Sequence, residues 1–246
     1  MAELSDVEDR MIERMRGSRY RHRVAQGIRF ALLFLVMLLI VLPVAARADE
    51  TLRYRWRIEG FFGAISGLFF PKRGDASLTA TTLASGNLQS ALMITSNKDR
   101  DPSFFRYEAE IDPHSGHTLV ARSSQLWRGK RKDKSSPIVD PGAVDVASAI
   151  HYLRTKLPER ALDMEIWSDG RLYPVRVQPQ GLETRRIGGQ KVQTLHYSIR
   201  PLVRPERRAW KGELDLWFAR DPLSTPVEML VARSPARLRL ELVQLP

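Results

Sequence analysis

The stretch "LRYRWRI", residues 52–58, alternates an apolar or aromatic residue with an arginine at every step. A helix would scatter those arginines around its circumference. A strand puts Leu52, Tyr54, Trp56 and Ile58 on one face and Arg53, Arg55 and Arg57 on the other. The same period-two pattern returns at Leu162/Met164/Ile166, Leu195/Tyr197/Ile199 and Leu214/Leu216/Phe218. It returns again at Val227/Met229/Val231 and at Leu238/Leu240/Leu242. Asp169-Gly170, Gly188-Gly189 and "RDPLSTP" supply turns between these segments, as hairpins require. A chain written this way folds as an antiparallel sheet with one dry and one wet face. So many short strands imply a strongly curved sheet or partial barrel, in a mainly β, α+β class.

One segment breaks the rhythm. In "DPGAVDVASAIHYLRTKLP" the residues Val146, Ala149, Ile150, Leu153 and Leu157 recur at helical spacing. Asp140 is placed to cap this helix, Pro141 to occupy its first turn and Pro158 to end it. A single amphipathic helix in a β chain needs an apolar partner, and the concave face of the sheet offers one.

The first 48 residues have a different character. Arg16, Arg19, Arg21, Arg23 and Arg29 precede an uncharged run from Phe30 to Leu42, then Pro43 and Ala46-Arg47-Ala48. That order of basic, apolar and small-residue regions is that of a secretory signal peptide, with cleavage expected after Ala48. The run is short for a bilayer span of about 20 residues; an uncleaved inner-membrane anchor facing the periplasm is the alternative. The acidic "MAELSDVEDR" lengthens the leader, and Met11 or Met15 are alternative starts. The expected division is therefore a leader at 1–48 and a single β domain at 49–246, located in the periplasm.

Export changes the meaning of the charge. The formal net charge is +11, and residues 49–246 keep 31 of the 39 Lys+Arg and 23 of the 28 Asp+Glu, a net of +8. In the periplasm that excess points away from nucleic acid and toward anionic headgroups. Cysteine is absent, which removes disulfides, thiolate metal sites, cysteine nucleophiles and a lipidated lipoprotein cysteine. Two basic segments stand out, "RGKRKDKSS" at 128–136 and "RPERRAWKG" at 204–212, both read as loops. They are either solvated tips or contacts with an anionic membrane, through Lys130, Arg131, Lys132, Arg207, Arg208 and Trp210.

Catalytic patterns are weak. Ser66 sits in Gly-x-x-Ser-Gly, a misspaced nucleophile elbow. His114 and His117 fall in a Pro/Gly-flanked turn, "DPHSGHT", with no evident third metal ligand; His151 and His196 read as solvent-facing or satisfied at a core margin. Asp163/Glu165 and Glu213/Asp215 each share a strand face and read as facing water. There is no phosphate-binding glycine loop or dinucleotide fingerprint. The reading is a non-enzyme without metal or cofactor; a hydrolase of envelope polymers is an alternative.

Three segments carry a family resemblance. On the helix, Asp145, Ser148, Ala149, Tyr152, Leu153 and Arg154 resemble a pattern of the exported bacterial family called domain of unknown function 3108, with His151 replacing a tyrosine. Trp217, Asp221, Pro226 and Val227 match its closing pattern, and Tyr54, Trp56, Gly60 and Gly63 its opening one. The resemblance implies a periplasmic protein and transfers no catalytic residue. A curved sheet holding a helix is also similar in architecture to the lipoprotein carriers LolA and LolB, which hold acyl chains between sheet and helix.

That likeness gives a role to "FFGAISGLFF" at 61–70, ten uncharged residues punctuated by glycine. It reads as the bend of a curling sheet, where glycines permit bulges. Phe61, Phe62, Ile65 and Phe69, with Trp56, Ile150 and Leu153, are then candidates to line a cavity for a hydrophobic or amphiphilic envelope molecule. The alternative is an envelope scaffold or interaction protein whose interior is simply packed. Oligomeric state and partner proteins are not encoded in these patterns.

Overall fold

The computed structural model describes residues 49–59, 71–96, 103–207, 209–233 and 236–246. The leader at 1–48, the stretch 60–70 and Arg208 lie outside the described residues. So do the expectations placed on them: the signal helix, Ser66, Phe61, Phe62, Ile65 and Phe69.

Residues 49–246 form one compact unit built on thirteen strands and one helix among the described residues. The strands are β1 (Glu50–Glu59), β2 (Arg73–Thr82), β3 (Leu88–Ser96), β4 (Phe104–Ile111), β5 (Thr118–Trp127) and β6 (Lys130–Pro137). After β7 (Ala143–Asp145) comes the helix α1 (Val146–Lys156), then β8 (Leu162–Ser168), β9 (Arg171–Ile187), β10 (Gln190–Pro201), β11 (Glu213–Ala219), β12 (Pro226–Arg233) and β13 (Ala236–Leu242). They make one curved, unclosed sheet in the order β6-β5-β4-β3-β2-β1-β13-β12-β11-β10-β9-β8-β7. Every pairing is antiparallel except β7 with β8. The first and last strands meet mid-sheet, Tyr54 opposite Leu242 and Ile58 opposite Leu238.

The alternation sets the faces as expected. Leu52, Tyr54 and Trp56 are buried while Arg53, Arg55 and Arg57 are exposed. Leu214, Leu216 and Phe218 share one core with Val227, Met229, Leu240 and Leu242. Tight turns with two left-handed residues join several strands: Asp169-Gly170 (φ 52 and 85), Gly188-Gly189 (φ 54 and 87) and Arg128-Gly129 (φ 49 and 71). This geometry matches strand twist. The last of these overturns one expectation. The basic stretch after Gly129 is not a loop but the edge strand β6, paired residue for residue with β5 from Trp127–Lys130 to Val120–Pro137. Exposed along most of its length, it shows no apolar alternation. Charge on an edge strand opposes pairing with another chain.

The helix also starts later than expected. Asp140 closes a turn instead, accepting from the Gly142 amide at 2.8 Å, and its carbonyl accepts from Ala143 at 3.0 Å. Ala143 and Val144 are then buried in β7 against β8. Asp145 is the true cap: its Oδ1 accepts from the Ser148 amide at 2.6 Å, and its own amide donates to Ser148 Oγ at 2.9 Å. Such a reciprocal cap contributes about 1 kcal/mol. Leu157, at φ 39, ends the helix before Pro158.

The two sheet edges, β6 and β7, are consecutive in the chain. The β8–β9 turn reaches the opposite flank of the sheet, where Ser123 Oγ donates to Asp169 Oδ1 at 3.2 Å. Beneath it Ala121, Ile138, Ala143 and Trp167 form a second small core. The long β9–β10 hairpin bends at an irregularity between His196 and Tyr197. Ile187 near its tip is buried in the main core.

Candidate functional site

The interior beneath α1 is the first candidate. Ile150 and Leu153 are 1% and 0% exposed, in one core with Trp56, Leu78 and Leu92 of the sheet. The Trp56 indole crosses β2 and donates from Nε1 to the Thr95 carbonyl of β3 at 2.7 Å. It can do so because Gly74 lies beneath: a Cβ there would stand 2.6 Å from Trp56 Nε1 and 2.1 Å from the Thr95 oxygen. Tyr54 Oη donates to the Pro226 carbonyl at 2.7 Å, and burial drives its pKa well above the ordinary tyrosine value. Of the seven cavity candidates, Trp56, Ile150 and Leu153 are thus brought together as packed core; the other four lie outside the described residues.

The polar seam of this interface is Arg154. Its side chain is 2% exposed. It forms a two-pronged ion pair with Glu50 at the start of β1 and donates from Nε to the Leu223 carbonyl at 3.2 Å. The guanidinium therefore ties the last turn of α1 to the first strand and to the β11–β12 connection. Beside it is an open cleft of about 220 Å³, solvent at its mouth included, lined by Glu50, Leu78, Ala80, Ser90 and His151 among others.

The outer face carries a network that spacing does not announce. His196 stands between two carboxylates, Nδ1 at 2.7 Å from Glu183 and Nε2 at 3.1 Å from Asp215, and stacks on Trp217 with ring centroids 4.4 Å apart. Trp217 Nε1 donates to Glu183 at 3.0 Å, and the Arg185 guanidinium lies 4.0 Å from the Trp217 ring centroid. Arg200 donates from Nη2 to both Asp215 oxygens, at 2.9 and 3.1 Å. Arg185 also approaches Glu228, which Arg239 engages along with Glu59. Burial alone would raise the pKa of Asp215, but hydrogen bonds from His196 and Arg200 outweigh it and hold it below the ordinary value. Burial dominates at Glu228, whose pKa is raised despite two arginines.

His196 is thus satisfied at a core margin, as its position suggested. Asp215 is a correction: it is 9% exposed and does not face water. Its partner Glu213 does, as does Asp163, which pairs with Arg176 at 2.7 Å; Glu165 is a second correction, its side chain only 13% exposed. The bent β9–β10 hairpin carries Glu183 and Arg185 over β11, which explains why an outer-face position is covered. Every hydrogen-bonding nitrogen of His196 is engaged within the network, so the arrangement locks strands together and offers no unengaged base.

His114 and His117 lie in the Asp112–His117 turn, whose Asp112 carboxylate accepts from the His114 amide at 2.9 Å and Ser115 Oγ at 2.6 Å. Among the described residues no group of three acidic or histidine side chains converges as a metal site. Lys130, Arg131 and Lys132 are exposed on β6, with Arg131 paired to Asp133 at 2.9 Å. Arg207 is exposed and 3.7 Å from Glu165. Trp210 is partly buried against the main core.

No family model and no curated protein matches the chain. Solved structures do. The β-barrel-like protein of domain of unknown function 1849 from Brucella abortus aligns over 80% of this chain and 96% of its own, at 11% identity and a TM-score of 0.52. The two share a fold. LprF from Mycobacterium bovis aligns over 78% of this chain and 83% of its own at 15% identity, with a TM-score of 0.30, too low to indicate common topology. The β-barrel-like architecture is therefore established, while the resemblance to domain of unknown function 3108 stands on its residues alone.

Proposed function

We propose that this chain is a non-catalytic module of the bacterial cell envelope that acts through its outer surface, its interior being given over to packing. The observation that carries this reading is the packing of the described part of the seam between α1 and the sheet, with Ile150 and Leu153 sealed and Arg154 clamped to Glu50. Envelope placement draws on the leader pattern at 1–48 and on the residues resembling domain of unknown function 3108. Non-catalytic action draws on the mutual saturation of the His196 network, in which each carboxylate is committed to an arginine or to the imidazole.

An amphiphile held between sheet and helix would need an apolar cavity of about 300 Å³ or more. The described part of that interface opens instead as the cleft at Arg154, where a charged pair stands beside Leu78 and Ala80. Native mass spectrometry of the protein isolated from the envelope fraction tests the choice. The expected spectrum is the polypeptide mass alone. A lipid retained in stoichiometric amount would move the function to the interior between sheet and helix.

A further inference from the structure

The register sorts the connections between the two ends of the sheet. Successive turns of an antiparallel meander fall at opposite ends. The connections β1–β2, β3–β4, β5–β6, β8–β9, β10–β11 and β12–β13 therefore share one end. Their described residues carry Lys72, Arg128, Arg204, Arg207 and Lys211 against Asp169 and Glu206. The strand connections at the other end, with that from α1 to β8, carry Arg160 and Arg220 against Asp112, Asp140, Glu159 and Asp221. The connections are thus net basic at one end and net acidic at the other, where Arg186 and Lys191 flank the β9–β10 turn. The two basic segments, far apart in sequence, lie at the same end, and β6 extends the positive charge with exposed Lys130 and Lys132.

We propose that this basic end docks on an anionic phospholipid surface, with Lys130, Lys132, Arg204 and Lys211 as its contacts. The inference rests on the envelope reading above. The cations stand at the start of β6, on one edge of the sheet, and on the β10–β11 connection, with β9, β8 and β7 between it and the other edge. Charges spread around a rim meet a plane together, whereas a linear acidic chain would need them gathered in a groove. Trp210 is held against the core and over Gly212, whose Cβ would stand 2.9 Å from the indole. The indole is thus a strut beneath the basic loop rather than a side chain inserting into lipid. Contact is electrostatic, reaching about 8 Å at physiological ionic strength and less as salt rises.

Amine acylation of the full chain, read lysine by lysine by mass spectrometry, tests this. The probes are vesicles of mixed phosphatidylglycerol and phosphatidylcholine, vesicles of phosphatidylcholine alone, and soluble polyphosphate at equal charge. Labelling with anionic vesicles is divided by labelling with neutral ones, and comparison between lysines at the two ends of the sheet separates docking from any pull of the basic leader, which bears on all of them alike. The expected result is a several-fold lower ratio at Lys130, Lys132 and Lys211, restored to one by high salt. Lys156 and Lys191, toward the opposite end, keep a ratio of one. Equal protection at all five lysines, a ratio of one throughout, or polyphosphate protecting as well as vesicles would each overturn the proposal. Those outcomes leave the packed-interior reading untouched, since it is judged by co-isolated lipid.

Discussion

Asp145 caps α1 at a cost in charge, and the cost can be measured. Its residue surface is 0% exposed and its Oδ2 has no hydrogen-bond partner. Burial raises its pKa from 3.8 to about 6, against the lowering effect of the Ser148 and Ala147 hydrogen bonds, and Glu108 adds a like charge. A folded-state pKa above the unfolded one means the group favours folding while protonated. That contribution is complete below about pH 4 and is lost as the pH rises through about 6. At about 1.4 kcal/mol per pH unit, the gap corresponds to a penalty of roughly 3 kcal/mol at pH 7.5, as a ceiling. Asparagine is also a good cap, accepts from the Ser148 amide through its own oxygen and never ionises. Asp145→Asn should therefore match the wild type in urea unfolding at pH 4 and exceed it progressively up to pH 7.5. In a domain of this size the neutral-pH gain corresponds to a rise of roughly 6–12 °C in Tm. Parallel stability–pH curves for the two proteins would refute the argument, because they would mean that Asp145 is not ionised out of reach of water.

Gly74→Ala should cost about 1–3 kcal/mol by driving a methyl into Trp56 and the Thr95 carbonyl, read as a lower urea midpoint with a red shift of tryptophan emission. Leu153→Asp should cost roughly 3 kcal/mol or more, since it buries an unpaired charge under the sheet; an unchanged thermal midpoint would show that α1 does not dock. Glu59, held below its ordinary pKa chiefly by the hydrogen bond from Arg239, contributes stability above its unfolded value that is lost as the pH falls through the folded one. Glu59→Gln should therefore flatten the acid limb of the stability curve without moving the neutral plateau upward. N-terminal sequencing of the exported protein should read Asp49 first; an intact leader in the membrane fraction would indicate an anchor instead.

Some of this was legible in the sequence and some was not, for physical reasons. Alternation assigns faces wherever one face is dry, so β1, β8 and β10 to β13 could be read directly. It fails at β6, where both faces are wet and the pairing with β5 rests on backbone bonds that any residue supplies. The α1 stripe placed Ile150 and Leu153 correctly, but Asp140 and Asp145 are equally good caps locally. What decided between them was the burial of Ala143 and Val144 against β8, a tertiary gain. The interior candidates Trp56, Ile150 and Leu153 were recognisable as apolar surface, yet spacing cannot say whether such surface lines a void or fills one. The network around His196 was hidden because it depends on the β9–β10 hairpin folding across β11, which brings Glu183 and Arg185 over Trp217. The role of Arg154 depends on Glu50, which lies 104 positions away in the chain.

The seam between β1 and β13 fixes the order in which this molecule can be assembled. Every other pairing joins strands adjacent or nearly so in sequence, as local hairpins or the β7–α1–β8 crossover, whereas the Arg57–Glu241 contact spans 184 positions. Local hairpins close within microseconds, while a long-range pairing waits for a large loop to come together. As the chain emerges from a ribosome or passes through a pore, β1 is among the first parts of the domain to arrive and holds one edge vacant until Ala236–Leu242 follows. Two half-sheets, β1–β6 and β7–β12, can collect on either side, but the wall they share cannot be completed. The domain stays threadable until β13 arrives, and a ribosome halted a few codons short of it releases a product with its central strand exposed.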